Sequence, residues 1–145
     1  MIVVIQRVLN ARVEVAGAAV AEIDTGILAL VGIERGDKPV QGERLLKRIL
    51  NYRIFPDETG KMNLSLQDIH GGLLLVPQFT LAADTASGSR PGFSAAAPPD
   101  EGKQIFSGLC QCAKDLFQEV KTGVFGADMQ IHLVNDGPVT FYMRF

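Results

Sequence analysis

Leu133-Val134-Asn135-Asp136-Gly137-Pro138-Val139-Thr140-Phe141 carries more structural information than any other part of this chain. Before it, Met129, Ile131 and Leu133 alternate with Gln130, His132 and Val134. After it, Val139, Phe141, Met143 and Phe145 alternate with Thr140, Tyr142 and Arg144. A period of two marks a strand with one face on a core. Between the two runs, Asn135-Asp136-Gly137-Pro138 is a turn signal. Glycine reaches backbone geometries closed to other residues, and proline fixes its own φ and donates no hydrogen bond. Spacing alone therefore predicts two strands joined by a hairpin turn.

A second stretch, Leu73-Leu74-Leu75-Val76-Pro77-Gln78-Phe79-Thr80-Leu81, begins as an unbroken apolar run, the pattern of a strand buried on both faces over 72–81. Pro77 is out of place there, because it removes a ladder donor and belongs at an edge or a bulge. Strand alternation then puts Gln78 and Thr80 on one face and Phe79 and Leu81 on the other. Polar side chains at the end of a buried strand must find partners or line a cavity, since burying one unpaired costs about 1–3 kcal/mol. Local rules that break in this way point to a functional site.

The chain has 145 residues, the length of one domain spanning 1–145, and can bury roughly two-thirds of its unfolded surface. Hydrophobic content of 47% and a mean hydropathy of +0.17 leave apolar surface for a subunit interface. No apolar run approaches the ~20 residues that span a bilayer, and Met-Ile-Val-Val-Ile-Gln-Arg lacks the basic start of a secretory signal. These features predict a cytoplasmic protein with no membrane partner. A formal charge of −2 and a pI of about 5.6 argue against DNA or any long nucleic acid held by phosphate neutralisation. Capture of one short RNA end remains open, with Arg7, Lys47, Arg48, Lys61 and Arg90 as candidate contacts. Cys110 and Cys112 lie about 200° apart on a helix, so they share neither a disulfide nor a metal. No His, Asp, Glu and Cys cluster has metal-site spacing; no metal is expected.

Elsewhere the first third reads as antiparallel strands, with a buried run at 27–33. A helix is predicted near 39–51, with Pro39 in its first turn and Leu45, Leu46, Ile49 and Leu50 in one stripe. Pro56-Asp57-Glu58-Thr59-Gly60 is a turn cluster. Residues 83–98 form a long loop of small residues, which we read as bordering a site. A second helix is predicted over roughly 99–121, with Ile105, Leu109, Cys112, Leu116 and Val120 on one face. The fold class is α+β, or mixed α/β: mostly antiparallel strands and two main helices, without strict βαβ alternation.

The two motifs together resemble the D-aminoacyl-tRNA deacylase family, of the bacterial and eukaryotic D-tyrosyl-tRNA deacylase type. Its signatures are a Ser-Gln-Phe-Thr-Leu strand end and an Asn-x-Gly-Pro-Val-Thr loop. Residues 135–140 show the second in full, and residues 77–81 show the first with proline for serine. Further blocks in the right order include Ile5-Gln6-Arg7-Val8, Tyr52-Arg53-Ile54-Phe55, Gly60-Lys61-Met62-Asn63-Leu64, Ala83-Asp84-Thr85, Arg90-Pro91 and Ala127-Asp128-Met129. The resemblance implies a small β-barrel-like sheet core with flanking helices, a homodimer, and cofactor-independent hydrolysis of D-aminoacyl ester, and of glycyl ester mischarged onto tRNA, at the tRNA 3′ end. It implies catalysis around Gln78, Phe79 and Thr80. Gly137 and Pro138, joined by a cis peptide, would enter the partner subunit's site and exclude the side chain of an L-amino acid. Arg7 would brace that loop, and Phe125 and Met129 would line the pocket for the terminal adenosine.

The residues themselves do not suggest a Ser-His-Asp hydrolase. His70 and His132 have no nucleophile and orienting carboxylate placed beside them, and no Gly-x-Ser-x-Gly elbow exists. Thr80 lacks an adjacent base. What remains is positioning of an already reactive ester and stabilisation of its oxyanion by the N–H groups of residues 78–81, near Phe79 and Thr80. Pro77 can supply neither hydroxyl nor N–H. Two alternatives stand beside this reading: a related editing deacylase with altered chiral specificity, suggested by Pro77, or a non-catalytic binder of tRNA ends or metabolites that keeps the fold.

Overall fold

The two unbroken apolar runs lie side by side at the centre of one sheet, in a computed structural model that describes all residues, 1–145. In chain order the elements are β1 (Ile2–Val15), β2 (Ala18–Ile23), β3 (Gly26–Gly32), α1 (Pro39–Asn51), β4 (Phe55–Pro56), β5 (Met62–Leu64), β6 (Gly72–Pro77), a 3-10 turn (Phe79–Ala82), α2 (Pro99–Leu116), β7 (Val120–Thr122) and β8 (Met129–Arg144). β3 pairs with β6 in parallel, from Gly26 opposite Gly72 to Val31 opposite Pro77. Ile27, Ala29, Val31, Leu73 and Leu75 enter the larger core beneath the helices. Leu28, Leu74 and Val76 enter a smaller one on the other face. Both faces are covered, so neither strand needs to alternate.

β1 pairs antiparallel with β2, β3 and β8, and β7 adds to β6 in parallel. β2 lies against β6 and β7, bringing the two ends of the sheet together into a nearly closed, barrel-like form. The class is α+β and the pairing mostly antiparallel, as expected, with two parallel pairings in the main sheet. β3 to β6 and β6 to β7 are parallel connections, carrying α1 and α2 respectively. No helix is long and apolar enough to cross a membrane.

Three local expectations are corrected. Residues 135–138 do not turn a hairpin, because both flanks belong to one strand, β8, and pair with the same strand, β1, in the same direction. The ladder passes from Gln6 opposite Thr140 to Val8 opposite Asn135. The excess residues of β8 are thrown out of the sheet as a bulge. The strand at 72–81 stops at Pro77, and residues 79–82 form a 3-10 turn, so the expected alternation of Gln78 through Leu81 does not exist. The Gln78 N–H still donates to the Val31 carbonyl at 2.7 Å. Pro77 fits because its ring faces the side where β7 has ended: a Cβ on Gly123, just beyond β7, would lie 3.5 Å from the Pro77 Cδ.

α1 follows expectation, with Leu45, Leu46, Ile49 and Leu50 buried. α2 ends at Leu116, and its buried row is Gly102, Phe106, Leu109 and Ala113, sharing only Leu109 with the expected face. Two tertiary contacts decide this. Val120 pairs with Leu73 in the sheet, which takes it out of any helix. The Phe125 ring sits over Gly102, where a Cβ would approach it to 3.3 Å.

The expected turn after β4 is held by Asp57, whose carboxylate accepts from Thr59 N–H (2.8 Å), Thr59 Oγ1 (2.7 Å), Lys61 N–H (3.1 Å) and Asn63 Nδ2 (2.7 Å). These bonds, that of Asn63 foremost, hold its carboxyl down to about 2. A carboxyl depressed in the folded state stabilises above its unfolded value, and that contribution is lost as pH falls through the folded one. The Asp57 carboxyl resonance should therefore titrate near 2 in a carbon-detected NMR series, with the β4–β5 turn loosening below pH 4. A midpoint at the ordinary Asp value would refute this.

Candidate active site

The end of β6 forms one wall of a cavity of about 460 Å³. Val76, Pro77, Gln78 and Phe79 supply that wall, and Phe125, Asp128, Met129 and Ile131 face them. Ala97 and Pro99, where the long loop runs into α2, close a third side. The loop at 83–98 thus borders the cavity, as its length suggested. It is pinned by Asp84 and Gly92, which exchange backbone bonds of 2.7 and 3.0 Å, and by Ala97 N–H on the Ile33 carbonyl. Phe93 of this loop packs on Phe79, ring centroids 5.1 Å apart.

Backbone donors at the cavity edge are not all equivalent. Gln78 N–H is spent on Val31, and Leu81 N–H on the Gln78 carbonyl. The Phe79 and Thr80 N–H groups donate to no acceptor in the chain. They are the open end of the 3-10 turn, as the first donors of any helix are. The set of available donors is thus narrower than the whole 78–81 segment. Gln78 Nε2 donates to Thr80 Oγ1 at 2.5 Å, so the threonine hydroxyl is already engaged, and Phe79 is 56% exposed at the mouth.

Phe125 is seated on Gly102 and lies 6.1 Å from the Phe106 ring. Met129 Sδ accepts from Val124 N–H at 3.3 Å, which ties the pocket's far wall to the end of β7. Neither histidine lines the cavity. His132 is exposed on β8 beside Glu14 (3.3 Å), and His70 occupies a turn at φ +51°. No grouping of His, Cys, Asp and Glu has metal-binding geometry.

The second group of expected residues forms a separate cluster on the β8 bulge. The Gly137–Pro138 peptide is cis, and both residues are exposed. Arg7 Nε donates to the Asp136 carbonyl (3.1 Å) and pairs with its carboxylate (3.0 Å), while Nη1 donates to the Ile54 carbonyl (2.7 Å). Arg7 thus braces the bulge. Asn135 and Thr140, quoted in the motif but given no role from sequence, close it: Val139 N–H donates to Asn135 Oδ1 (2.8 Å) and Asn135 Nδ2 to Thr140 Oγ1 (2.9 Å). Asn135→Ala should lower stability by about 1–3 kcal/mol, the range for leaving a part-buried donor unpaired, and a denaturant melt measures it. An unchanged midpoint would mean that the clamp is idle. Within one chain neither Gly137, Pro138 nor Arg7 lines the cavity that holds Gln78, Phe79, Phe125 and Met129.

A family model described as D-Tyr-tRNA(Tyr) deacylase matches residues 4–144. The chain belongs to this deacylase family. A protein named D-aminoacyl-tRNA deacylase from Stutzerimonas stutzeri is 61% identical over 140 residues, covering 97% of both chains. One of the same name from Ectopseudomonas mendocina is 59% identical over 144 residues, 99% of both. Among solved structures, one titled c-Myc DNA Unwinding Element Binding Protein superposes with a TM-score of 0.95 at 36% identity, covering 100% of this chain and 99% of the other. A probable eukaryotic D-amino acid tRNA deacylase shares the fold at a TM-score of 0.84 and 15% identity, with 98% and 97% covered. The family match and the structural likeness agree with the barrel-like sheet and flanking helices of this chain.

Proposed function

We infer that this chain is a D-aminoacyl-tRNA deacylase, hydrolysing the ester between a D-amino acid and the 3′-terminal ribose of tRNA. The observation that carries the chemistry is the pair of unoccupied N–H groups at Phe79 and Thr80 on the rim of a half-open, largely apolar cavity. The terminal adenosine enters between Phe125 and Met129, and its ester carbonyl lies against the 3-10 turn. Water adds to the carbonyl carbon, and the oxyanion takes the two N–H bonds, each worth about 3–4 kcal/mol when well aimed. The bond to the ribose oxygen then breaks; that oxygen takes the proton, leaving free amino acid and tRNA. The ester is reactive enough that positioning can replace a general base.

Chirality is the task of the bulge. In a homodimer, Gly137 and Pro138 of a second copy reach this cavity, and their carbonyls leave no room for an L side chain beside the α-carbon. D-amino acids and glycine fit. Rejection by clash discriminates without tighter cognate binding. The acting compartment is the cytoplasm, where charged tRNA is used. Duplex DNA is a poor partner for a chain of net charge −2, whatever the name of one solved relative.

D-tyrosyl-, L-tyrosyl- and glycyl-tRNA incubated with the pure protein test this reading. Fast loss of the D and glycyl esters with the L ester spared is the expected result. Loss of none leaves a tRNA-end binder, and loss of the L ester as well means the Gly137–Pro138 filter is misassigned and the altered-chirality reading, suggested by Pro77, takes its place.

A further inference from the structure

Phe125 belongs to the walls of two cavities. One is the pocket described above. The other, about 330 Å³, is a groove along the exposed side of α2, with Phe106 and Gly123 in its wall. Its polar edge is Lys103, Ser107, Gln111 and Lys114, all exposed. They recur at i, i+4, i+8 and i+11, which places them along one ridge of the helix. Neither lysine has a carboxylate within ion-pair distance, whereas Arg7, Arg12, Lys47 and Arg144 are each tied to one. Of the acidic groups of α2, Asp100 and Glu101 sit in the first turn, and Asp115, which accepts from Gln111 Nε2 at 2.9 Å, is a carboxylate at the far edge of the groove. Cys110 in the wall adds no charge, because burial pushes its thiol up to about 11.

Lys103 follows Gly102, the residue on which Phe125 rests, so it marks the pocket end of the groove. Lys114 lies about 16 Å further along at ~1.5 Å per residue, a span that covers more than one phosphodiester. In a chain of net charge −2, two unpaired cations lining a groove that opens on the nucleoside pocket are a local attractor for a phosphate backbone. We propose that this groove carries the single-stranded RNA end into the pocket, with phosphates that precede the terminal nucleoside against Lys103 and Lys114 and hydrogen bonds from Ser107 and Gln111. The proposal rests on the deacylase reading for the identity of the substrate. It replaces Lys47 and Arg48 as RNA contacts: Lys47 is paired with Glu43, and Arg48 lies over the Tyr52 and Phe145 rings.

The test is the double variant Lys103→Gln, Lys114→Gln in the full chain, with binding of an uncharged CCA-ended RNA oligonucleotide followed by fluorescence anisotropy across a KCl series. Single strands lose affinity with a log–log slope of about 0.7 per phosphate contacted, so the variant's slope should be shallower by about 1.4 and its Kd at low salt at least tenfold higher. Lys103→Arg, Lys114→Arg should restore both. On D-tyrosyl-tRNA the Gln variant should raise KM with kcat kept, and D-tyrosyl-adenosine, which has no phosphate, should be hydrolysed at the wild-type rate. An unchanged slope and Kd would overturn the proposal, as would an equal loss on the phosphate-free substrate. The expected slope difference between wild type and variant, with no D ester hydrolysed by the wild type, would leave the groove standing and remove the deacylase reading instead.

Discussion

Phe79→Pro should turn over D-tyrosyl-tRNA about 100- to 1,000-fold more slowly than Phe79→Ala. Both variants lose the same exposed ring, so their difference isolates one backbone N–H. Phe79 opens the 3-10 turn, the position at which proline is best tolerated in a helix. Gln78 before it has φ −142° and ψ 78°, outside the helical region that a following proline disfavours. The Phe79 N–H has no acceptor in the chain, so its removal breaks no structural bond. Its remaining role is toward the substrate, and loss of one oxyanion donor costs about 10²- to 10³-fold in kcat. Single-turnover rates for the two variants, with matching melts, give the answer. Equal rates would show that the Phe79 N–H does not meet the oxyanion. Thr80→Ala, which keeps its N–H and removes a hydroxyl already bonded to Gln78, should lose far less.

Gly137→Ala should lower kcat/KM for D-tyrosyl-tRNA by about 100-fold while the chain still folds. Gly137 has φ +133°, a conformation that side chains rarely adopt. An added Cβ would lie 2.6 Å from Val139 Cγ2, 3.1 Å from Val139 N and 3.2 Å from Arg7 Nη2. None of these can yield freely. Val139 N is bonded to Asn135, and Arg7 is bonded to the Asp136 and Ile54 carbonyls. The bulge itself must shift, at a cost of about 1–3 kcal/mol for a residue forced into such a conformation. A displacement of ~1 Å at a positioning element is enough for a 10²-fold loss. Because the bulge lies outside the β1–β8 ladder, the melting temperature should fall only modestly. Steady-state kinetics on the D and L esters, beside a thermal melt, separate the two effects. Full activity with unimpaired D-over-L selectivity would remove Gly137 from the chiral filter.

Much of the architecture was legible because it follows from short-range rules. Leu45, Leu46, Ile49 and Leu50 made a stripe that only a helix could bury on one side. Runs 27–33 and 73–76 had no polar face and so had to lie between two cores. The family motifs marked Gln78, Phe79 and Thr80, of which Gln78 and Phe79 line the cavity and Thr80 does not. Illegible features were those in which a distant partner chooses between local options. Asn135-Asp136-Gly137-Pro138 suits a hairpin turn and a bulge equally well, and β1 running alongside both flanks makes it a bulge. Residues 78–81 alternate on paper, yet the last ladder bond is spent at Gln78, and the chain curls once no neighbouring strand remains. Gly102 weakens a helix in sequence, but the Phe125 ring occupies the space it leaves.

Taken by itself, the order of residues determines which segments are apolar on one face or on both, where glycine and proline interrupt them, and which motifs place the chain in the deacylase family. Periodicity and turn chemistry act over a few neighbours, and a sequence displays its neighbours directly. Tertiary structure alone decides which strand satisfies each backbone edge, which face of α2 goes inward, and which N–H groups are left without a partner. Those outcomes depend on hydrogen-bond acceptors many residues away, such as Val31 for Gln78. The candidate catalytic feature of this chain is of the second kind, because a free N–H at Phe79 or Thr80 is defined by everything else having been paired.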